Sequence, residues 1–284
     1  GFIGLGNMGA PMARNASDRG CKLIVYDIAG TADRASDGSI IAQSNDEIAR
    51  RAKVIGLSLP TIETNRQVVL EIAKAGSEGT VVVDTCTIGI DAAKRNAQIL
   101  NEAGIQYLDS PVSGLKFRAE EGALVSMVSG PVSELTKARK LLEGYSRTVV
   151  HVGTEPGQGQ RMKVLNNAIC IASYVISSEA LTYGEVGGLK VGEMLEVINE
   201  SSGQNFATKF LFPKYVATEQ YDASGAEAHI IEKDISLFVE GANDEGTPNK
   251  AITAAYDIIK GFNNSDPTQD QMNIYPYVRG LQKD

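Results

Sequence analysis

The 284-residue chain has no tryptophan, two histidines and three cysteines, and only 6% of its residues are aromatic. Cys21, Cys86 and Cys170, odd in number and far apart, fit buried thiols in a reducing compartment better than a disulfide framework; they also lack zinc-ligand spacing, so no metal site is expected. Positive charge is in deficit, with 27 Lys+Arg against 35 Asp+Glu, a net charge of −8 and a pI near 5.0. That balance argues against a nucleic-acid partner, whose site would track phosphates with basic residues. No uninterrupted apolar run reaches bilayer length and the mean hydropathy is −0.12, so no membrane partner is expected. The composition is that of a soluble, cytoplasmic globular protein. The chain opens at Gly1 on what already reads as a strand, without Met; a few upstream residues are expected, and no targeting peptide can be judged.

Apolar, β-branched runs at 1–5, 22–26, 54–59, 81–84, 106–109, 124–128 and 148–152 predict strands. Helical patterns at 8–19, 46–51, 66–74, 91–103 and 133–145 lie between them. Short apolar strands alternating with helices imply βαβ units and a mainly parallel sheet covered on both faces. The stretch Gly153-Thr154-Glu155-Pro156-Gly157 ends this pattern, and no strand is expected after it. From Gln158 to about Val186 apolar residues recur at helical spacing without a breaker, long enough for a helix that crosses a domain junction. Further helices are predicted near 191–199, 226–244 and 248–262, the last opened by Thr247–Pro248. The expected organisation is an α/β domain over 1–155 and an all-α domain over 156–284.

Gly4-Leu5-Gly6-Asn7-Met8-Gly9 follows the first strand and opens a helix. In this context the first glycine permits a tight turn, the second lets backbone approach a pyrophosphate, and the third packs helix on strand. A diphosphate would sit at the positive end of the helix. Asp27 lies 18 residues beyond Gly9, at the end of the second strand, where a carboxylate binds a ribose 2′-hydroxyl. Together these predict a dinucleotide site. A carboxylate there repels a 2′-phosphate and Tyr26-Asp27-Ile28-Ala29-Gly30 holds no Arg, so NAD is expected over NADP; Arg34 is the nearby cation that could reverse this.

Four blocks carry a resemblance. GFIGLGNMGAPMARN at the start, DSPVSG at Asp109–Gly114, GQGQRMKVLNN at Gly157–Asn167 and EKDISL at Glu232–Leu237 stand in the order found in the β-hydroxyacid dehydrogenases. That family includes 3-hydroxyisobutyrate dehydrogenase, tartronate semialdehyde reductase and, more distantly, 6-phosphogluconate dehydrogenase. The resemblance implies a Rossmann-type dinucleotide-binding domain followed by an all-α domain, joined by a long interdomain helix. It also implies hydride transfer between NAD and a small carboxylate substrate, and a homo-dimer or homo-tetramer.

Lys163 and Asn167 are four residues apart, so both project from one face near the start of the long helix. In the resembling enzymes this lysine protonates the carbonyl oxygen in reduction and takes the alcohol proton in oxidation, while the asparagine helps to hold the substrate. A lysine serves in this way when burial or neighbouring cations depress its pKa. Ser113 and Gly114 match the loop that receives the substrate carboxylate through a hydroxyl and backbone N–H groups. Beside Gly4, Leu5, Gly6, Asn7, Met8, Gly9 and Asp27, the resemblance implies cofactor contacts at Leu59, Pro60, Thr87 and Lys233, and at Thr64 with Asn65 as its alternative. Lys233 would also place a second positive charge beside Lys163.

The sequence departs from the family after Gly114. Where relatives continue with glycine and small residues, this chain has Leu115, Lys116, Phe117 and Arg118, and Gly122 recovers the match. Missing glycines mean less backbone freedom. Lys116 and Arg118 are either a site for a second anionic group of the substrate or solvated loop charges. His151 and His229 lack a Ser/Asp partner pattern and are expected to be structural, and Cys86 an unreactive neighbour of the site. Two other readings share the scaffold: an NADPH-dependent semialdehyde or glyoxylate reductase, and a non-catalytic NAD-sensing module.

Overall fold

The computed structural model describes residues 1–281. It divides into two compact units, Gly1–Lys163 and the chain from Val164 onward. The first unit contains, in chain order, β1 (Phe2–Ile3), α1 (Gly9–Asp18), β2 (Ile24–Tyr26), β3 (Ile40–Ile41), α2 (Asn45–Arg51), β4 (Val54–Leu57) and α3 (Ile62–Ala75). It continues with β5 (Val81–Asp84), α4 (Ile90–Glu102), β6 (Gln106–Asp109), β7 (Val112–Ser113), α5 (Leu115–Glu120), β8 (Leu124–Ser129), α6 (Val132–Tyr145) and β9 (Ser146–Gly153).

The strands form a single sheet in the order β3-β2-β1-β4-β5-β6-β8-β7, with β9 paired to β8. β1 to β6 are parallel, in the doubly wound order 3-2-1-4-5-6. That order reverses direction between β1 and β4, and ligands bind beyond the carboxyl ends of strands at such a switch point. β8 then runs antiparallel to β6 and β7, and β9 parallel to β8.

Because these strands are buried on both faces, residues adjacent in sequence enter different cores. Phe2, Val81 and Val83 pack with Met12, Leu142 and Tyr145 on one face; Ile3 and Val82 pack with Ile48, Ile72 and Leu100 on the other. Every strand and helix predicted in this half is present. The structure adds β3, β7 and α5, and starts α3 at Ile62 because the Thr61 hydroxyl accepts the Thr64 N–H at 3.1 Å and caps the helix.

Helix α7 (Gln158–Val186) runs across the division, which falls inside it after Lys163. By length and composition α7 could cross a membrane, with a mean hydropathy of 1.3 over its most apolar window. Asn166, Asn167, Ser173 and Ser177 interrupt its apolar residues, so it is not an uninterrupted apolar run, and half of that window is buried inside the protein.

The second unit continues with α8 (Val191–Asn199), a π-helical stretch over Ala207–Val216, α9 (Ala228–Asp244), α10 (Lys250–Ser265), a 3-10 turn at Gln271–Asn273 and α11 (Ile274–Gly280). Its described residues form no strand beyond an isolated bridge between Glu227 and Asp270. Phe212, Ile259, Phe262 and Tyr275 fill its core, with Phe212 edge-on to Tyr275 at 6.2 Å.

Leu100, fully buried on α4, tests the packing of the first unit. Leu100→Ala is expected to cost about 2–5 kcal/mol of unfolding free energy, from lost transfer energy plus a cavity. Chemical denaturation measures it, and a loss below about 1 kcal/mol would mean that this core collapses around the gap.

Candidate active site

The glycine turn joins β1 to α1 at the switch point. Gly4 has φ +89°, and a Cβ on it would stand 2.1 Å from the carbonyl oxygen of Ser58. A Cβ on Gly9 would stand 2.0 Å from the carbonyl oxygen of Gly4. Side chains are excluded at both positions by backbone. At Gly6 no heavy atom lies within 4 Å of the Cβ position, so its face is open to a ligand. Asp27 closes this turn from the end of β2: its Oδ2 accepts the Leu5 N–H at 2.6 Å and its Oδ1 the Ala29 N–H at 2.8 Å. Arg34 pairs with Oδ1 at 3.2 Å. An exposed glycine at a helix start beside a fixed carboxylate fits a dinucleotide's diphosphate and ribose.

Next to β1, the end of β4 leads to Leu59, whose N–H donates to Cys86 Sγ at 3.1 Å, and to exposed Pro60. Thr64 is half-buried on the first turn of α3. Asn65 is fully engaged elsewhere: its Nδ2 donates to both carboxylate oxygens of Asp84, at 3.0 and 2.9 Å, and its Oδ1 accepts Asn96 Nδ2 at 2.6 Å. Its amide is therefore spent in the core, which leaves Thr64 as the residue of this pair that can meet a ligand. Burial and the neighbouring Asp84 push the Cys86 thiol well up, so it stays protonated.

Thr87 follows Cys86 in the loop between β5 and α4. The loop is held by Gln160, from the first turn of α7: Oε1 accepts the N–H groups of Ile88 at 2.9 Å and Gly89 at 3.0 Å, and Nε2 donates to the Cys86 carbonyl at 2.9 Å. Nε2 also donates to Asp109 Oδ1 at 2.7 Å. Asp109, at the end of β6, accepts the N–H groups of Gly157 at 3.2 Å and Gln160 at 2.9 Å on Oδ2, and so caps the helix that carries Lys163. Neither Asp109 nor Gln160 stands out from sequence, although each lies inside a block of the resemblance. A glutamine buried three residues before Lys163 is a signal that only the fold reveals.

Beyond β6 the chain passes through Ser113 and Gly114 into α5. Gly114 has φ +145° and Leu115 adopts φ +59°. Lys116 is exposed and pairs with Glu120 at 3.6 Å. Arg118 turns back: a Cβ on Gly114 would stand 2.9 Å from its Cβ and 3.0 Å from its Cδ, so its stem covers Gly114. This segment is stapled to α1, as Asn15 Nδ2 donates to the carbonyls of Ala119 at 2.9 Å and Glu120 at 3.2 Å. Arg19 donates to the carbonyls of Gly122 at 3.1 Å and Glu143 at 2.9 Å.

The structure thus brings the glycine turn, Asp27, Leu59, Pro60, Thr64, Thr87, Ser113, Gly114 and Lys163 into one unit. Lys163 is half-buried one turn before Asn167 on α7. Asn167 and Lys233 belong to the second unit, where Asp234 links them: it accepts Asn167 Nδ2 at 2.8 Å and pairs with Lys233 at 2.9 Å. His151 bonds the Gly130 carbonyl at 2.9 Å and His229 the Pro267 carbonyl at 3.1 Å, both structural contacts.

Comparison with known proteins agrees with this architecture. Residues 1–153 match a family model described as the NAD binding domain of 6-phosphogluconate dehydrogenase. Residues 157–278 match one described as the NAD-binding region of NADP-dependent 3-hydroxyisobutyrate dehydrogenase. A 2-(hydroxymethyl)glutarate dehydrogenase of Eubacterium barkeri is 31% identical over 92% of this chain and 88% of its own length. An NAD-dependent L-serine dehydrogenase of Pseudomonas aeruginosa is 33% identical over 85% of this chain and 84% of its own. Among solved structures, Mycobacterium tuberculosis 3-hydroxyisobutyrate dehydrogenase with L-serine superposes with a TM-score of 0.88, at 28% identity over 98% of both chains.

Burial pushes the Asp109 carboxyl up to about 6, while the bonds from Gln160 and Ser129 pull it down. An acid whose folded pKa lies above its ordinary value holds its proton better in the folded chain. That stabilisation is complete below about pH 4 and lost as the pH rises through 6, about 3 kcal/mol for two units. Asp109→Asn removes the titration, so wild type relative to variant is expected to lose about 3 kcal/mol between pH 4 and pH 7. Denaturation across that range checks it; a constant difference would show that Asp109 titrates alike in both states.

Proposed function

The chain belongs to the β-hydroxyacid dehydrogenase family, NAD(P)-dependent oxidoreductases that include 3-hydroxyisobutyrate dehydrogenase, and from that premise we propose that it oxidises a small β-hydroxy acid with Lys163 as general base. The observation that supports the reading is the bonded path from the loop of Thr87 through Gln160 to the first turn of α7, the turn that leads to Lys163.

Bound NAD supplies the hydride acceptor. Asp27 would hold the ribose, and the open face of Gly6 at the start of α1 would receive the diphosphate. The substrate carboxylate rests on the Ser113 hydroxyl and the N–H groups around Gly114, donors suited to an anion held without full positive charge. Lys163 Nζ, unprotonated, takes the hydroxyl proton as the C–H electron pair leaves with the hydride, and the carbon becomes a carbonyl. Run backwards, the lysine returns that proton to the carbonyl oxygen. Asn167, on the next turn, orients the reacting oxygen. Arg118, folded over Gly114, extends the anion site past one carboxylate and favours hydroxy acids with a second anionic group; Lys116 is taken up by Glu120.

A steady-state screen of 3-hydroxypropionate, 3-hydroxyisobutyrate, serine, glycerate, threonate and a sulfonate analogue identifies the substrate. With it in hand, Lys163→Ala is expected to lower kcat by about 10²–10⁴-fold while NAD affinity stays within about twofold. Near-normal kcat in that variant would sink the assignment. The carboxylate of Asp27, fixed by two backbone N–H groups, disfavours a 2′-phosphate, so kcat/KM with NAD is expected to exceed that with NADP by about tenfold or more. A preference for NADP would mean that Arg34 leaves Asp27 to bind the phosphate.

A further inference from the structure

Gln160 has no solvent exposure, yet it carries an amide into the interior. Burying an amide is costly unless all its bonds are met, and an apolar residue would fill the same space. Here every capacity is used. Oε1 takes two N–H groups, from Ile88 and Gly89, and Nε2 places one hydrogen on the Cys86 carbonyl and the other on Asp109.

These partners are not incidental. Gly89 stands at the N-cap position of α4, which has no side-chain cap of its own, so Gln160 satisfies that helix start from a distant segment. Asp109 does the same for α7, and Ser129 adds a bond from the Gly159 N–H at 3.0 Å. Gly159 lets the helix come this close: a Cβ there would stand 2.7 Å from the Met127 carbonyl oxygen and 2.8 Å from that of Asp109. Gln160 is three residues before Lys163, adjacent to it on the helix surface, and Ile88 directly follows Thr87.

We infer that Gln160 is a positioning residue for the reaction, clamping the Thr87 loop and the Asp109 end of β6 to the turn of α7 from which Lys163 projects. It acts through Lys163 and Thr87 and touches no substrate. The inference rests on the roles proposed above for those two residues. Proton and hydride transfer depend steeply on placement, so a shift of about 1 Å in either element costs about 10²-fold in rate.

The test uses the full chain with NAD and the substrate found by the screen. Gln160→Ala and Gln160→Met are expected to fold and bind NAD within about twofold of wild type, to lose about 10²-fold in kcat with little change in KM, and to exchange the Ile88 and Gly89 amide hydrogens faster. Gln160→Glu loses both amide donors and places a carboxylate against Asp109. Adding Asp109→Asn restores a donor between them, leaving the Cys86 carbonyl unpaired, and the double variant is expected to regain at least about tenfold in kcat over Gln160→Glu alone. A packing role alone gives no such rescue. A folded Gln160→Met with kcat within about threefold of wild type, unchanged exchange at Ile88 and Gly89, or a double variant no better than Gln160→Glu would each overturn the inference. Amide exchange needs no turnover, so a failed clamp is told apart from a failed Lys163 assignment, which would show as wild-type kcat in Lys163→Ala.

Discussion

The geometry of the first unit depends on one buried carboxylate. Asp109 has no solvent exposure and would be expelled or neutralised there unless its oxygens were matched by donors. It receives two backbone N–H groups, the Ser129 hydroxyl and the Gln160 amide. Those bonds end β6, start α7 and fix the loop after β5 at once. A helix start has orphan N–H groups and a positive end, so an anion there is stabilised by the feature it completes. The opposing effects of burial and donors leave this acid with a pKa of about 6, an intermediate outcome of two large contributions.

Close backbone approach is the second constraint. Gly4 lies against Ser58, Gly9 against Gly4, and Gly159 against Met127 and Asp109, all at distances no side chain allows. The first two seat α1 on the switch point of the sheet, and the third seats α7. Gly6 differs in kind, since nothing in the protein fills the space beside it. Three glycines of one motif therefore do two jobs, and only the open one is shaped by what binds.

The features legible in the sequence were those encoded locally. The alternation of apolar strands and helices, the glycine turn with Asp27, and the unbroken run of α7 each need only a short window of residues. What was not legible depends on partners far along the chain. Gln160 bonds residues 51 to 74 positions away, and nothing in its neighbours marks it as buried. Asn65 reads as a ligand-facing residue of α3 until Asp84 and Asn96 are found to consume its amide. β3 consists of two exposed isoleucines held by backbone bonds to β2, with no burial pattern to announce it. The composition changes at 153–157, whereas the compact units divide after Lys163, because the first turn of α7 is bonded into the sheet that precedes it.

The segment after Gly114 shows how a strained turn is stabilised. A leucine in the left-handed region costs on the order of 1–2 kcal/mol, a strain that glycine at this position avoids. Six residues of α5 cannot offset that alone, since a helix so short is marginal in water. The compensation comes from α1, whose Asn15 and Arg19 satisfy the carbonyls of Ala119, Glu120 and Gly122 at the far end of the turn. The loop is thereby anchored as a short helix, and the Arg118 stem lies over Gly114. The strain at Leu115 and the Arg118 stem over Gly114 thus belong to one anchored turn, held in place from α1.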